Sequence, residues 1–457
     1  MGPDKYIKNY IAGALAPAGS GDYLDNLNPA TAVVYSHFPD SDGSDVQRAV
    51  EAAERAFPAW SELESKKRFR LLIRIADIIE QQAEVFARAE SLDTGKPLSM
   101  SKSVDVPGAY SHFRFFASAI PHFSGESFHR AGDSMTYSFR QPLGLVACIS
   151  HWNLPLHQFT WKVAPALAMG NCVLAKPSDL APMTAYLFSK ACLEAGLPPG
   201  VLNIVQGQDE KLLETMITHP KVKAVSFSGN LKKGQQVAAW ANPSFKKLSL
   251  QLGGKNANII FEDCSFNQML LGTLRSSFSN NGQLIESGSR IFIERSLYER
   301  FREEFVKRTQ FLKIGDPFSS VTDLGALISR EHMERVLSYI ALAEMEGGKV
   351  LCGGTPMEME NEFEEGFFIR PAIIEGLSHT SRCMREEIFG PVVFIAPFDT
   401  EEEAIELANE NNYCHSASIW TQDAERIKRV SAGLDAHNIW VNCWNVRDLS
   451  VPMSHSQ

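Results

Sequence analysis

The strongest constraint on this chain is an alternation that sets in after Pro142. Short apolar runs take turns with amphipathic stretches from there to the end. Val146-Ala147-Cys148-Ile149, Cys172-Val173-Leu174-Ala175, Leu202-Asn203-Ile204-Val205 and Val225-Ser226-Phe227 read as buried strands, with helices expected at 161–168 and 184–195. Strand and helix taking turns implies a parallel sheet with helices on both faces, the doubly wound arrangement used for nucleotides. A second series begins at Asn258-Ile259-Ile260-Phe261 and ends at Ile439-Trp440-Val441, with helices expected at 298–309, 330–346 and 401–409. The fold class expected is therefore α/β, with two doubly wound units joined near residue 255.

Ahead of these series, residues 44–98 carry a helical pattern. Val46, Val50, Ala53 and Phe57 form one apolar stripe. Pro58 is expected to break it, and a second periodic stretch runs from 66 to 91 until Gly95-Lys96-Pro97 stops it. The acidic stretch 358–365 reads as a solvated loop, and no internal repeat is evident.

Bulk properties exclude several classes. A length of 457 residues suits about two to four domains, and 44% hydrophobic with 21% charged residues suits a soluble globular protein. The net charge of -10 argues against nucleic-acid binding, which needs clustered cations. The cluster Lys66-Lys67-Arg68-Phe69-Arg70 is interleaved with apolar residues at helical spacing and reads as a solvated helix face. Eight scattered cysteines without a CxxC pair point to reduced thiols and no metal site. No signal peptide and no apolar run near about 20 residues is present, so a cytoplasmic chain without a membrane partner is expected.

Six segments then occur in one order: Trp152-Asn153-Leu154-Pro155, Lys176-Pro177-Ser178-Asp179, Phe227-Ser228-Gly229-Asn230, Leu252-Gly253-Gly254-Lys255, Ser289-Arg290 and Glu386-Glu387-Ile388-Phe389-Gly390-Pro391. Together they resemble the aldehyde dehydrogenase superfamily over nearly the whole chain. Phe113-Arg114-Phe115-Phe116-Ala117 and Asn442-Cys443-Trp444-Asn445-Val446-Arg447 are most similar to the 2-hydroxymuconic and 2-aminomuconic semialdehyde dehydrogenases. The resemblance implies a dinucleotide-binding unit from residues 1–123 and 143–253 and an oligomerisation segment at 124–142. It further implies a catalytic-type unit at 254–445 and a short tail at 446–457. Ser134-Met135-Thr136-Tyr137-Ser138-Phe139 alternates like a strand within the second of these.

The resemblance also assigns the chemistry. The family position of the catalytic cysteine falls on Ile285, within Asn280 to Arg290, and that of the general base falls on Gln251. Isoleucine cannot attack a carbonyl and glutamine cannot take a proton, so ordinary aldehyde oxidation is not expected. Asn153 matches the oxyanion amide. Arg114 and Arg447 match a clamp on the substrate carboxylate, which suits the planar guanidinium fork; structural ion pairs are the other reading. His157 and Gln158 fall in the segment lining the substrate tunnel.

For the cofactor, NAD, the resemblance implies Trp152, Lys176 and Asp179, then Gly229, Asn230 and Gly234 at a helix facing the pyrophosphate, then Glu387 and Phe389. Against it, Asp209 and Leu213 replace glycines in the turn after Ile204-Val205. His151 and Glu286 are further titratable groups beside the site. They suit either a new acid/base site or drift after loss of activity. The short tail lacks a segment that helps join subunits, so a homodimer with weakened higher assembly is expected. Three functions stay open: a redox-dead homologue binding a carboxylate, semialdehyde or NAD; an isomerase or tautomerase acting on such an acid; and a structural, crystallin-like role.

Overall fold

The computed structural model describes residues 4–451 except 131, 133, 209, 412 and 413. Two hairpins open the chain, β1 (Asn9–Ile11) with β2 (Ala14–Ala16) and β3 (Tyr23–Asn28) with β4 (Val33–Pro39). Three helices follow, Gly43–Ser61, Ser65–Gln81 and Ala83–Thr94, and then a helical stretch ending in Val106–Ala119.

The first helix runs through Pro58 instead of breaking there. Pro58 lies in its last turn, and Trp60 just beyond it is 2% exposed, with its indole N–H donating to the Asn171 carbonyl at 3.1 Å. Tertiary packing of that last turn outweighs the local cost of the proline. The second periodic stretch is two helices, divided at Gln82.

A third hairpin pairs β5 (Ser127–Arg130) with β6 (Ser134–Tyr137), so the expected strand stops before Ser138. The acidic stretch is exposed apart from partly covered Met359 and Phe363 and holds a single 3-10 turn.

The first large sheet adds β7 (Leu145–Ile149), β8 (Cys172–Lys176), β9 (Leu202–Ile204), β10 (Val222–Gly229) and β11 (Lys247–Leu252). Its order is β11-β10-β7-β8-β9-β1-β2, parallel from β11 to β9, with β1 antiparallel to both β9 and the edge strand β2. β7 and β8 are buried on both faces, which is why they read as unbroken apolar runs. After β9 the chain returns to the far side of β7 to add β10. The order therefore reverses between β7 and β10, and a crevice opens at their carboxyl ends.

The second sheet comprises β12 (Ala257–Ile260), β13 (Arg290–Glu294), β14 (Lys349–Cys352), β15 (Ala372–Glu375), β16 (Val392–Phe398), β17 (Ser416–Trp420) and β18 (Asn438–Val441). Its order is β14-β15-β16-β13-β12-β17-β18, parallel except for β14. Separate apolar cores lie against each sheet. Only four residues separate β11 from β12, so the carboxyl end of the first sheet faces the amino end of the second. Among the described residues, no helix is long and apolar enough to cross a membrane.

Candidate functional site

The segments that leave β7, β10 and β11 meet those that enter β13 and β16. Between them lies a cavity of about 100 Å³ lined by His151, Trp152, Gly229, Asn230, Gly253, Ile285, His332, Arg335, Glu387 and Phe389. Seven of the residues singled out from the sequence thus share one wall. Ile285 is 3% exposed, and its carbonyl accepts from the Asn256 side chain at 2.7 Å. No cysteine, serine or threonine lines this cavity among the described residues.

Asn153 follows directly and is buried. Its Oδ1 lies 3.1 Å from His151 Nδ1, while its Nδ2 is buried without a hydrogen-bond partner. A buried donor left unsatisfied is costly and therefore ready to serve an incoming oxygen. The Asn153 carbonyl accepts from Lys96 Nζ at 3.0 Å and from the Asn280 side chain at 3.0 Å. Lys96 also donates to Asp105 at 3.0 Å and lies 3.7 Å from Glu90, all three side chains being fully buried. Burial, with Asp105 close by, pushes the Glu90 carboxyl well above the usual range. The tripeptide Gly95-Lys96-Pro97 reads in sequence only as a helix stop. Its lysine reaches Asn153 across 57 positions, which no local pattern reveals.

Gln251 is the penultimate residue of β11, opposite Ser228 of β10. The Ser228 hydroxyl lies 3.1 Å from both Gln251 Oε1 and Gln158 Oε1. Gln158 is thus buried with the residue at the expected base position. His157 packs on His112, with ring centroids 4.5 Å apart, and stacks on Trp161. Burial pushes the His112 imidazole down to about 3 and holds His157 well below its ordinary value, so both rings are neutral at pH 7.

The two arginines do not form one clamp. Arg114 donates to Asp77 at 2.9 Å and Glu80 at 2.5 Å on the neighbouring helix, Ser65–Gln81. Arg447 donates to the Glu286 carboxylate, and the Trp444 indole N–H donates to the Glu286 carbonyl at 2.8 Å. The segment after β18 is thereby fastened to the residue next to Ile285. The resemblance singled out both arginines but could not choose their carboxylate partners, which come from far along the chain.

At the expected cofactor positions, Asn230 caps the helix Leu231–Ala241 by accepting from the Lys233 N–H. A Cβ on Gly234 would lie 2.5 Å from Leu252, and one on Gly253 would lie 1.9 Å from Glu387 Oε1. Burial pushes the Glu387 carboxyl up to about 7 and the His151 and His332 rings down to about 4. His332 Nε2 lies 2.8 Å from the Phe389 carbonyl, and its ring stands edge-on to Trp152. His332 and Arg335 escaped the sequence reading because they lie within an ordinary helical pattern.

Lys176 is buried, and Asp179 lines a separate cavity of about 660 Å³ beside β3. Leu213 points into the first core and not toward a ligand. Asp209 lies outside the described residues. A further cavity of about 400 Å³ adjoins the first and shares Asn230, Gly253, Arg335 and Glu387 with it. Lys232, Lys255, Tyr339 and Arg385 are among its other lining residues.

The aldehyde dehydrogenase family profile matches residues 16–455. The chain is 42% identical to 2-aminomuconic semialdehyde dehydrogenase of Bos taurus, over 98% of this chain and 92% of that protein. It is 38% identical to 2-hydroxymuconic semialdehyde dehydrogenase of Pseudomonas sp. (strain CF600), over 99% and 94%. The NAD+ complex of an aldehyde dehydrogenase from Bacillus cereus superposes with a TM-score of 0.96 at 32% identity, covering 99% of this chain and 91% of that one.

Proposed function

The chain belongs to the aldehyde dehydrogenase family, and from that premise we propose that it binds a carboxylate-bearing semialdehyde beside Ile285 without oxidising it. Ile285 is the observation that carries this reading. The family reaction needs a nucleophile that bonds to the aldehyde carbon before hydride leaves, and an alkyl side chain cannot form that bond. Gln251 adds to it, because an amide held by Ser228 does not activate water.

The retained parts suit binding. Asn153 Nδ2 is a free donor for the aldehyde oxygen. Arg447 is a fork for the carboxylate, to be exchanged from Glu286 when the acid arrives. Arg114 is committed to Asp77 and Glu80 and takes no part.

The residues present fit the phosphate and nicotinamide-ribose half of a dinucleotide. The capped helix at Asn230 offers backbone N–H groups, and Gly253 leaves the space that Glu387 needs. Lys176 and Asp179 would hold the adenosine ribose, with Trp152 and Phe389 beside the nicotinamide end. When bound, NAD supplies a hydride acceptor. At the adenine end, Glu210 pairs with Lys233 at 3.1 Å and with Gln236, which ties two helix starts together. Homodimerisation through the 124–142 hairpin remains part of the proposal.

A second reading, proton transfer on the same acid, draws on His151. Its ring lines the cavity and is a neutral base above about pH 4. Glu286 is the weaker candidate, since Arg447 occupies it.

Incubation with 2-hydroxymuconic semialdehyde separates these readings. Heat of binding lost in Arg447→Ala but kept in Arg114→Ala, with neither NADH nor isomer formed, supports the first. Isomer formation supports the second. NADH production at a rate typical of the family overturns the binding-only reading.

A further inference from the structure

Glu286 stands next to Ile285, and hydrogen bonds to three consecutive carbonyls fix it there. The Asn256 side chain donates to the Ile285 carbonyl at 2.7 Å and to the Ser287 carbonyl at 3.0 Å. The Trp444 indole N–H donates to the Glu286 carbonyl between them at 2.8 Å. From this pinned backbone the Glu286 side chain, 2% exposed, ends on the Arg447 guanidinium. Among the described residues, no other carboxylate pairs with Arg447. Asn445 orients the guanidinium by accepting from its Nε at 2.8 Å, and the Arg447 side chain is 21% exposed, so a dissolved acid has access to it.

Resting on the carboxylate-binding reading above, we propose that Glu286 is a specificity-determining residue. It is an internal carboxylate that occupies Arg447 and weakens its hold on an external acid, leaving the binding of uncharged aldehydes untouched. An acid that takes the guanidinium fork must turn Glu286 aside, and the pinned backbone keeps the displaced carboxylate buried without a cation. An acid that shares the guanidinium stands beside Glu286 instead, where like charges repel. Both routes oppose the acid. Neither opposes an uncharged ligand, which makes no claim on Arg447.

The basic groups nearby do not make up the difference. Burial, with the Arg447 charge adding to it, keeps the His112 ring neutral at pH 7, and His157 is neutral beside it. Lys96 is bound to Asp105, and Arg114 to Asp77 and Glu80. Opening a fully buried ion pair would nearly forbid the acid, but solvent screens a pair whose arginine is partly exposed. The expected penalty on acid binding is therefore about tenfold in affinity.

The test is calorimetry on the full chain without NAD, with adipic semialdehyde as the acid and hexanal as its uncharged counterpart. Glu286→Gln keeps the size and removes the charge. It should bind adipic semialdehyde about tenfold more tightly, with the affinity for hexanal unchanged. Glu286→Asp, which keeps the charge, should stay near the native affinity for the acid. An equal gain for both ligands overturns the proposal, as does a gain that persists when Arg447→Ala is added, because a merely loosened pocket gives both. Unchanged acid binding in Glu286→Gln, together with its loss in Arg447→Ala, also overturns the proposal and leaves the carboxylate-binding reading standing. Acid binding indifferent to Arg447→Ala in both backgrounds removes that reading and the proposal together. Acid binding in Glu286→Gln but not in the native chain supports the proposal while removing the reading that the native chain binds the acid. If Glu286→Gln fails to fold, the native chain decides: hexanal held at least as tightly as adipic semialdehyde supports the proposal, and the acid held more tightly overturns it.

Discussion

At the scale of single residues, the proposed function rests on Ile285 and Gln251 standing where the family resemblance expects a nucleophile and a base. On that reading the double variant Ile285→Cys, Gln251→Glu should gain NADH-forming activity over the native chain, read at saturating aldehyde and NAD. No gain in a folded double variant would locate the defect in cofactor binding. Lys96 gives a different expectation. Lys96→Met leaves Glu90 and Asp105 buried without their cation and frees the Asn153 carbonyl. Breaking a buried pair of this kind costs roughly 3–5 kcal/mol, visible as a lower urea midpoint. Sequence order was enough to single out Asn153 and Ile285, since each belongs to a contiguous motif. Lys96, His332 and the partners of both arginines were hidden because long-range contacts assign their roles.

At the scale of elements, the site is made of strand ends and the turns that leave them. Asn230→Ala removes the cap of the helix Leu231–Ala241 and should cost about 1 kcal/mol, together with weaker NAD binding by calorimetry. Gly253→Ala places a Cβ where the Glu387 carboxylate stands, so Glu387 must swing away. Its expected signature is a loss of NAD affinity with little change in melting temperature. The strands of both sheets were legible as apolar runs because parallel strands are buried on both faces. The helix through Pro58 was not, since the packing of Trp60 that stabilises it comes from Asn171, far along the chain.

At the scale of the whole molecule, histidines with wholly or partly buried rings couple the fold to pH. His112, His151 and His332 titrate near 3, 4 and 4 when folded, against about 6.5 in an unfolded chain. Their folded values are depressed, so the stability they contribute is complete above about pH 6.5 and is lost as the pH falls toward 4 and below. Glu387 acts oppositely, since its raised value favours the folded state at low pH and that contribution is lost as the pH rises through about 7. His332→Gln should therefore show a smaller drop in melting temperature between pH 6.5 and 4 than the native chain, and an equal drop would refute this origin. By itself the sequence determined the α/β class and the two sheets, which follow from local periodicity, and the family, which follows from contiguous motifs. Only the tertiary structure decided that Arg447 serves Glu286 and that Arg114 serves Asp77 and Glu80 on the neighbouring helix. Which charge neutralises which depends on segments far apart in the chain, and no local pattern records that.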